Sequence, residues 1–257
     1  MKNYYVEIFN KRGHLYNNAN QRFPSARAIE RDILLDLLDL GPDLTVCDAP
    51  AGGGYVAQGI DERTRGRCRV VCVEPSENFA RAIDPKFQSL IAPLDKIPLD
   101  SLSMDRVASL AGLHDLKEKT GFLKEAFRIL KTGGRFAVGD VMDGTASSRF
   151  LNDSVNRYTE TGHHGVFLRR GELTSLMDGL GFVDVREQYR EFFWTLPDLP
   201  TLVDYCRTLF GMVKATPPQV EAGLKRHFAV EVGSTQARLP WSLVYAVGIK
   251  PQKFPHN

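Results

Sequence analysis

Along the first half of the chain, hydrophobic positions switch repeatedly between short, β-branched runs and helical spacing. Ile29, Ile33, Leu34, Leu37 and Leu38 fall on one helical face, which Ser25 can cap and Gly41-Pro42 ends. Residues 1–42 therefore read as a helical cap. Leu44–Asp48 predicts a strand, glycines follow it, and a helix begins at about Tyr55. Arg69–Glu74 is a Val-rich second strand, apolar enough to be buried on both faces. Ser76 is placed to cap the next helix, which Asp84-Pro85 stops. Gln88–Ala92 and Arg106–Leu110 predict two further strands. Thr120 opens an amphipathic helix with Phe122, Leu123, Ala126, Phe127 and Leu130 inward, Gly133-Gly134 ends it, and Arg135–Val141 is a fifth strand.

This alternation predicts an α/β fold: a doubly wound, mostly parallel, seven-stranded, Rossmann-like sheet. The last third differs. A short helix at Leu173–Leu180 precedes strands at Phe182–Trp194 and Trp241–Ile249. Between these strands a helical insertion at about 195–238 is too small for a core of its own, so the chain is expected to form one domain, 1–257.

Composition narrows the function. Lys and Arg number 33 against 31 Asp and Glu, a net charge of +2, which gives no reason to invoke nucleic acid or an anionic membrane surface. No apolar stretch approaches the roughly 20 residues of a membrane span, and Met1–His14 lacks a signal-peptide core. Cys47, Cys68, Cys72 and Cys206 show no CxxC pairing, so a reducing cytoplasm is expected.

The chemistry centres on Val46-Cys-Asp-Ala-Pro-Ala-Gly-Gly-Gly54. A strand that runs through glycines into a helix offers bare backbone N–H groups at the carboxyl edge of the sheet. Glu74 ends the second strand beside that loop, where a carboxylate accepts the hydroxyls of a ribose. Gly52-x-Gly54-x-x-Ala57 also satisfies the dinucleotide fingerprint. Asp48 argues otherwise, since a carboxylate there repels a pyrophosphate and attracts an ammonium. The ligand expected is S-adenosyl-L-methionine, which has an ammonium and no phosphate, with S-adenosyl-L-homocysteine as its product.

Asp48-Ala-Pro-Ala-Gly52-Gly-Gly54 resembles the DxGxGxG first motif of class I methyltransferases, and Cys72-Val-Glu74-Pro-Ser76 their second. Leu130-Lys-Thr-Gly-Gly134-Arg resembles the LKPGGR turn before their fifth strand. Phe9-Asn-Lys-Arg-Gly-His-Leu-Tyr16-Asn-Asn is similar to the N-terminal segment of the quinone-biosynthesis methyltransferases, and Leu243–Pro251 to their antiparallel last strand. The resemblance implies that Asp48, Ala49, Pro50 and the Gly52–Gly54 backbone hold the methionine part. It implies that Glu74 and Pro75 meet the ribose, Leu94 and Asp95 the adenine, and Ala111 and Gly112 the underside of the methionyl chain. Two positions depart from the family pattern. Pro50 replaces a glycine and lacks an N–H. Pro93 stands where the family has an aspartate, for which Asp95 could substitute.

For catalysis, His114 follows the fourth strand at the carboxyl edge and is the candidate base, with a locally bonded loop histidine as the alternative. Asp140, ending the fifth strand, faces the acceptor or holds the next turn together. Tyr16 closes over a sulfonium or packs on the sheet. His163 and His164, with no third ligand nearby, read as surface loop, and no metal is expected. Phe192, Phe193, Trp194, Tyr205, Phe210 and Met212 shape an apolar pocket or form the core that attaches the insertion. The function expected is methyl transfer to oxygen, nitrogen or activated carbon of a small molecule. The alternatives are methylation of an acyl group on a carrier protein, which the insertion loosely suggests, and a non-catalytic binding or assembly module that kept the fold.

Overall fold

Strand β2 (Arg69–Glu74) forms where its Val-rich run predicts and lies between β1 (Thr45–Asp48) and β3 (Gln88–Ile91). The other strands are β4 (Met104–Leu110), β5 (Leu130–Asp140), β6 (Val183–Leu196), the two-residue β7 (Glu231–Val232) and β8 (Ala237–Ile249). A computed structural model describes residues 4–252; residues 1–3 and 253–257, the outer ends of the expected domain and helical cap, lie outside the described residues. The sheet runs β3-β2-β1-β4-β5-β8-β6, parallel from β3 to β5, with β8 antiparallel between β5 and β6 and β7 paired to β8. The α/β class and the mostly parallel sheet are as the periodicity predicts, and the antiparallel last strand is as the family resemblance implies.

Side chains alternate across the sheet and divide the interior. Val46, Val70, Cys72 and Ala108 meet Leu34 and Leu38 of α2 (Ala28–Leu38) and Ile60 of α3 (Tyr55–Thr64) in one cluster. Cys47, Val73, Val107 and Phe136 meet Phe122, Leu123 and Ala126 of α5 (Thr120–Ile129) in another. The remaining helices are α1 (Tyr4–Arg22), α4 (Glu77–Ala80), α6 (Ala146–Phe150), α7 (Asn156–Tyr158), α8 (Glu172–Gly179), α9 (Leu199–Leu209) and α10 (Pro217–His227), with a π-helical turn at Leu151–Val155 between α6 and α7. In register, Asp48 stands opposite Cys72 and Ala108, and Leu110 opposite Gly139. Asp48, Glu74, the 111–115 loop and Asp140 therefore share one edge.

Several boundaries differ from the pattern. Ser25 does not cap α2, whose N-cap is Arg27 without a side-chain bond, and Ile29 is 44% exposed. Arg27 and Glu30 turn inward instead. Ser76 does cap its helix, accepting from Phe79 N at 3.2 Å, but α4 is only four residues long. Gly133 and Gly134 lie inside β5, with Gly133 at φ +75° in a bulge, because Leu130 already pairs with Met104. The helical stretch 146–158 has no periodic signature, and β8 begins earlier than expected, at Ala237.

Helix α2 is tied to strands β6 and β8 by a buried charge network. Glu30 accepts from Arg27 Nε at 2.7 Å, from Arg27 Nη2, and from Trp194 Nε1 at 3.0 Å. Tyr245 on β8 donates its hydroxyl to the Glu30 carbonyl at 2.9 Å, and its ring fills the space a Cβ at Gly139 would take, 2.5 Å away. Arg27 and Glu30 are 4% and 1% exposed, so removing one strands the other's charge in the interior. Glu30→Ala is expected to lower the unfolding free energy by about 3–5 kcal/mol, read from urea denaturation.

Candidate active site

The glycine loop after β1 is shaped by close approaches. Gly52 (φ +54°) and Gly54 (φ +86°) adopt left-handed backbone that side chains disfavour. A Cβ at Gly53 would lie 2.1 Å from the Asn17 amide oxygen, and one at Gly112 would lie 2.3 Å from the Pro50 ring. Pro50, after a cis peptide bond, thus fits a notch that Gly112 leaves open. Above the loop lies a cavity of about 520 Å³, walled by Pro50–Gly53, Tyr55, Ala111 and Gly112 on the sheet side and by Tyr5, Phe9, Tyr16 and Asn17 of α1.

Two carboxylates sit beneath it. Asp48 is fully buried; one oxygen accepts from Ala57 N at 3.1 Å, and Oδ1 has no partner. Burial, reinforced by the neighbouring Glu74 charge, pushes its pKa up to about 8 against the pull of the Ala57 N–H. Glu74 is buried too, and burial raises its pKa to about 7 although donors surround it. Its Oε1 accepts from Ser76 N (2.8 Å), and its Oε2 accepts from Gly52 N (2.8 Å) and from the Tyr5 hydroxyl (2.9 Å). Tyr5, not Glu74, faces the cavity. Phe79 and Phe9 stack beside it, centroids 4.6 Å apart, with the Phe79 ring 2.9 Å from where a Gly52 Cβ would be.

These residues fit the donor expected from sequence. Asp48 Oδ1 is an unpaired acceptor for an ammonium, the glycines leave backbone bare, and Glu74 already holds an O–H of the kind a ribose would offer. Asp48, Ala49, Pro50, Gly52, Gly54, Glu74 and Ala111 gather at this edge. Pro75, Leu94 and Asp95 do not line the cavity: Leu94 is buried in the core under β3, and Asp95 is exposed.

A second, smaller chamber of about 50 Å³ adjoins the first, and the two share Phe9, Tyr16 and Ala111 as walls. Leu209, Phe210, Trp194 and Trp241 make its apolar side; His114, Asp115, His163 and Arg12 make its polar end. Phe192, Trp194, Tyr205 and Met212 are core, while Trp194 and Phe210 also face the chamber, so both sequence readings hold for different residues. Phe193 instead lies under the Arg238 guanidinium, 3.7 Å from the ring centre. Tyr16 receives a hydrogen bond from Arg27 at 2.6 Å, with that guanidinium 5.2 Å from its ring.

His114 Nδ1 lies 2.7 Å from Asp140 Oδ1, and Asp140 also accepts from Leu113 N and Val141 N, both at 2.6 Å. Burial works to lower the His114 pKa, but Asp140 and Asp115 outweigh it and hold it above the ordinary value. Burial works to raise Asp140, but His114 and the two backbone donors keep it below the usual range. Asp140 therefore both orients His114 and holds its own turn. His163 is not a surface residue; it is 1% exposed, and burial, then the charges of His114 and Arg12, push its pKa well below the ordinary value. Asp115, 3% exposed, carried no signal beyond following a histidine.

Residues 47–138 match the profile of a family described as a methyltransferase domain. The ubiquinone/menaquinone biosynthesis C-methyltransferase of Syntrophotalea carbinolica is 28% identical over 199 residues, which are 65% of this chain and 78% of that protein. A possible histamine N-methyltransferase of Thermotoga maritima superposes with a TM-score of 0.61 at 20% identity, covering 96% of this chain and 99% of that one. The phosphoethanolamine N-methyltransferase 2 of Haemonchus contortus, solved with phosphomonomethylethanolamine and S-adenosylhomocysteine, gives a TM-score of 0.66 at 13% identity, over 96% of this chain and 60% of that one. At these identities the structures speak for the fold.

The two raised carboxyls make stability depend on pH. Between the ordinary carboxyl range and about pH 8, the folded chain keeps protons on Asp48 and Glu74 that the unfolded chain releases. More protons bound in the folded state means that stability falls as pH rises through this window and levels off above it. Urea denaturation at pH 5 and pH 9 checks the slope. Asp48→Asn, which copies the protonated form, is expected to flatten it and to be the more stable protein at pH 9.

Proposed function

We propose that the chain is a class I S-adenosylmethionine-dependent methyltransferase that binds its donor in the 520 Å³ cavity and methylates a compact small-molecule acceptor in the adjoining chamber. The observation that carries this reading is that the two cavities adjoin, with Phe9, Tyr16 and Ala111 lining both. The relatives whose names state a small acceptor support it, as does the small volume of the chamber. Among the described residues, no helix is long and apolar enough to cross a membrane.

S-adenosylmethionine supplies an electrophilic methyl group on a sulfonium. The chain's own residues position and activate. Asp48 Oδ1 takes the ammonium, the Gly52–Gly53 backbone lies against the methionine part, and Glu74 holds the ribose once Tyr5 releases it. Because transfer is an in-line displacement, positioning supplies much of the rate. The acceptor's nucleophilic atom is directed toward His114, the group oriented by Asp140, and is activated there.

Adenosylhomocysteine should raise the melting temperature of the protein, as mass action requires of any ligand of the native state. A flat response with both adenosyl compounds would leave only the assembly-module reading. Glu74→Ala should weaken binding at least about tenfold, the cost of a lost charge-assisted bond. Tyr5→Phe, by freeing Glu74 of its competitor, should tighten it in the same titration. Across a panel of phenols, amines and β-dicarbonyl compounds with labelled donor, His114→Ala should cut transfer by about 10²–10⁴ and leave adenosylhomocysteine affinity unchanged.

A further inference from the structure

The geometry points to a divalent transition-metal site, of the kind that takes Zn²⁺, formed by His114 Nε2, His163 Nε2 and the Asp115 carboxylate at the polar end of the acceptor chamber. These atoms lie within 4.8 Å of one another, with Asp115 Oδ2 3.7 Å from His114 Nε2 and Asp115 Oδ1 3.8 Å from His163 Nε2. All three residues are buried, and neither Asp115 oxygen nor His163 Nε2 has a hydrogen-bond partner. The Arg12 guanidinium at this end of the chamber offers Asp115 charge but no hydrogen bond, so both carboxylate oxygens remain without a donor, a costly state for a buried group.

The hydrogen bonds behind the ligands fix which way their lone pairs point. His114 presents Nδ1 to Asp140, a carboxylate already oriented by two backbone N–H groups, so Nδ1 carries the proton and Nε2 the lone pair. Behind His163 stands Asn152. The Asn152 oxygen accepts from Gly165 N at 3.1 Å while its amide nitrogen donates to Gly165 O at 3.4 Å, which sets the amide orientation. The oxygen therefore faces His163 Nδ1 at 3.1 Å, that nitrogen is the donor, and Nε2 again is bare. Two imidazole lone pairs and a carboxylate converge with no hydrogen between them. An outer partner on each ring is the arrangement by which proteins orient metal-binding histidines.

The loop that brings His163 here is held by Val166 N donating to His114 O at 2.8 Å and Lys119 Nζ donating to Val166 O at 2.7 Å. Asn152 lies in the π-helical turn, which aims it at the loop. Two nitrogens, one carboxylate and space on the chamber side suit a borderline cation with open positions better than Mg²⁺ or Ca²⁺, which prefer oxygen. Its use rests on the methyl-transfer reading: a metal held there would make a coordinated acceptor hydroxyl more acidic, so that its proton passes to water, and His114 would serve as a ligand in place of a base. The binding itself does not depend on that reading.

Calorimetric titration of chelator-treated full-length protein with Zn²⁺ should show one equivalent bound, and Co²⁺ should give visible absorption bands of a nitrogen- and oxygen-ligated ion. Asp115→Asn and His163→Ala should weaken Zn²⁺ at least about hundredfold, and Asn152→Ala, which touches no ligand atom, about ten- to hundredfold. Adenosylhomocysteine thermal shifts report folding of each variant separately. Absence of Zn²⁺ binding by the parent protein, or undiminished affinity in folded His163→Ala and Asn152→Ala, would overturn the site. One equivalent of Zn²⁺ in a protein unresponsive to adenosylhomocysteine would support the site and remove the donor reading instead.

Discussion

Buried negative charge along one sheet edge is the constraint around which this molecule is organised. Asp48, Glu74 and Asp140 are fully buried and Asp115 is 3% exposed. An isolated carboxylate in such surroundings is costly enough that it must be neutralised, hydrogen-bonded or matched by a cation. The fold answers each case differently. Asp140 has two backbone donors and an imidazole, and stays charged. Glu74 has three donors, one of them the hydroxyl of Tyr5. Asp48 has one, and burial keeps its proton on. Asp115 has none. The less a carboxylate is satisfied from within the chain, the more it requires from a ligand, so the series runs from scaffold to site. The two unsatisfied members, Asp48 and Asp115, are the ones to which the proposals assign a cation, an ammonium and a metal.

The cap is bound to the same constraint. Tyr5, Phe9 and Tyr16 recur on one face of α1 at helical spacing, so a single helix delivers the hydroxyl that caps Glu74, the ring that stacks on Phe79 and the wall shared by both cavities. Tyr5 makes the bond to Glu74 that a ribose hydroxyl would make. Cap position and the proposed donor site are therefore coupled through one carboxylate oxygen, since Tyr5 on the first turn of α1 already holds it.

Much of the scaffold was legible because strands buried on both faces leave a dense local signal. Arg69–Glu74 reads as a strand from its own valines, and Asp48 and Glu74 follow from strand ends and glycines alone. Ser25 misleads because an N-cap is a local preference, and here Arg27 and Glu30 are drawn inward by Trp194, far away in sequence. Leu94 and Asp95, expected at the adenine, lie outside the cavity lining for a related reason: the cavity is bounded by α1, and nothing in the 92–95 loop records where a distant helix lies. His163 and Asp115 were illegible because their meaning arises only when the 162–168 loop folds back on residues 114–119. A pair of histidines has no sequence mark that separates a surface loop from a buried ligand; the third partner must be brought by the fold.

The wall between the cavities limits what can react. Ala111 holds φ +51°, a conformation that costs a side-chain-bearing residue on the order of 1 kcal/mol, and its N–H is anchored to Gly139 O at 2.8 Å. Next to it, Gly112 yields its side-chain space to the Pro50 ring, so both strand ends are locked against each other. A rigid wall cannot widen to admit a larger acceptor from this side. Enlargement must come from Tyr16, Phe210 or the helices that carry them, and Tyr16 is held by Arg27 within the Glu30 network. The size of the chamber is thus tied to the same buried ion pair that fastens α2 to the sheet. On the proposed reading, a chamber of about 50 Å³, bounded on one side by strained backbone and on the other by that network, would admit only the reactive end of a compact molecule.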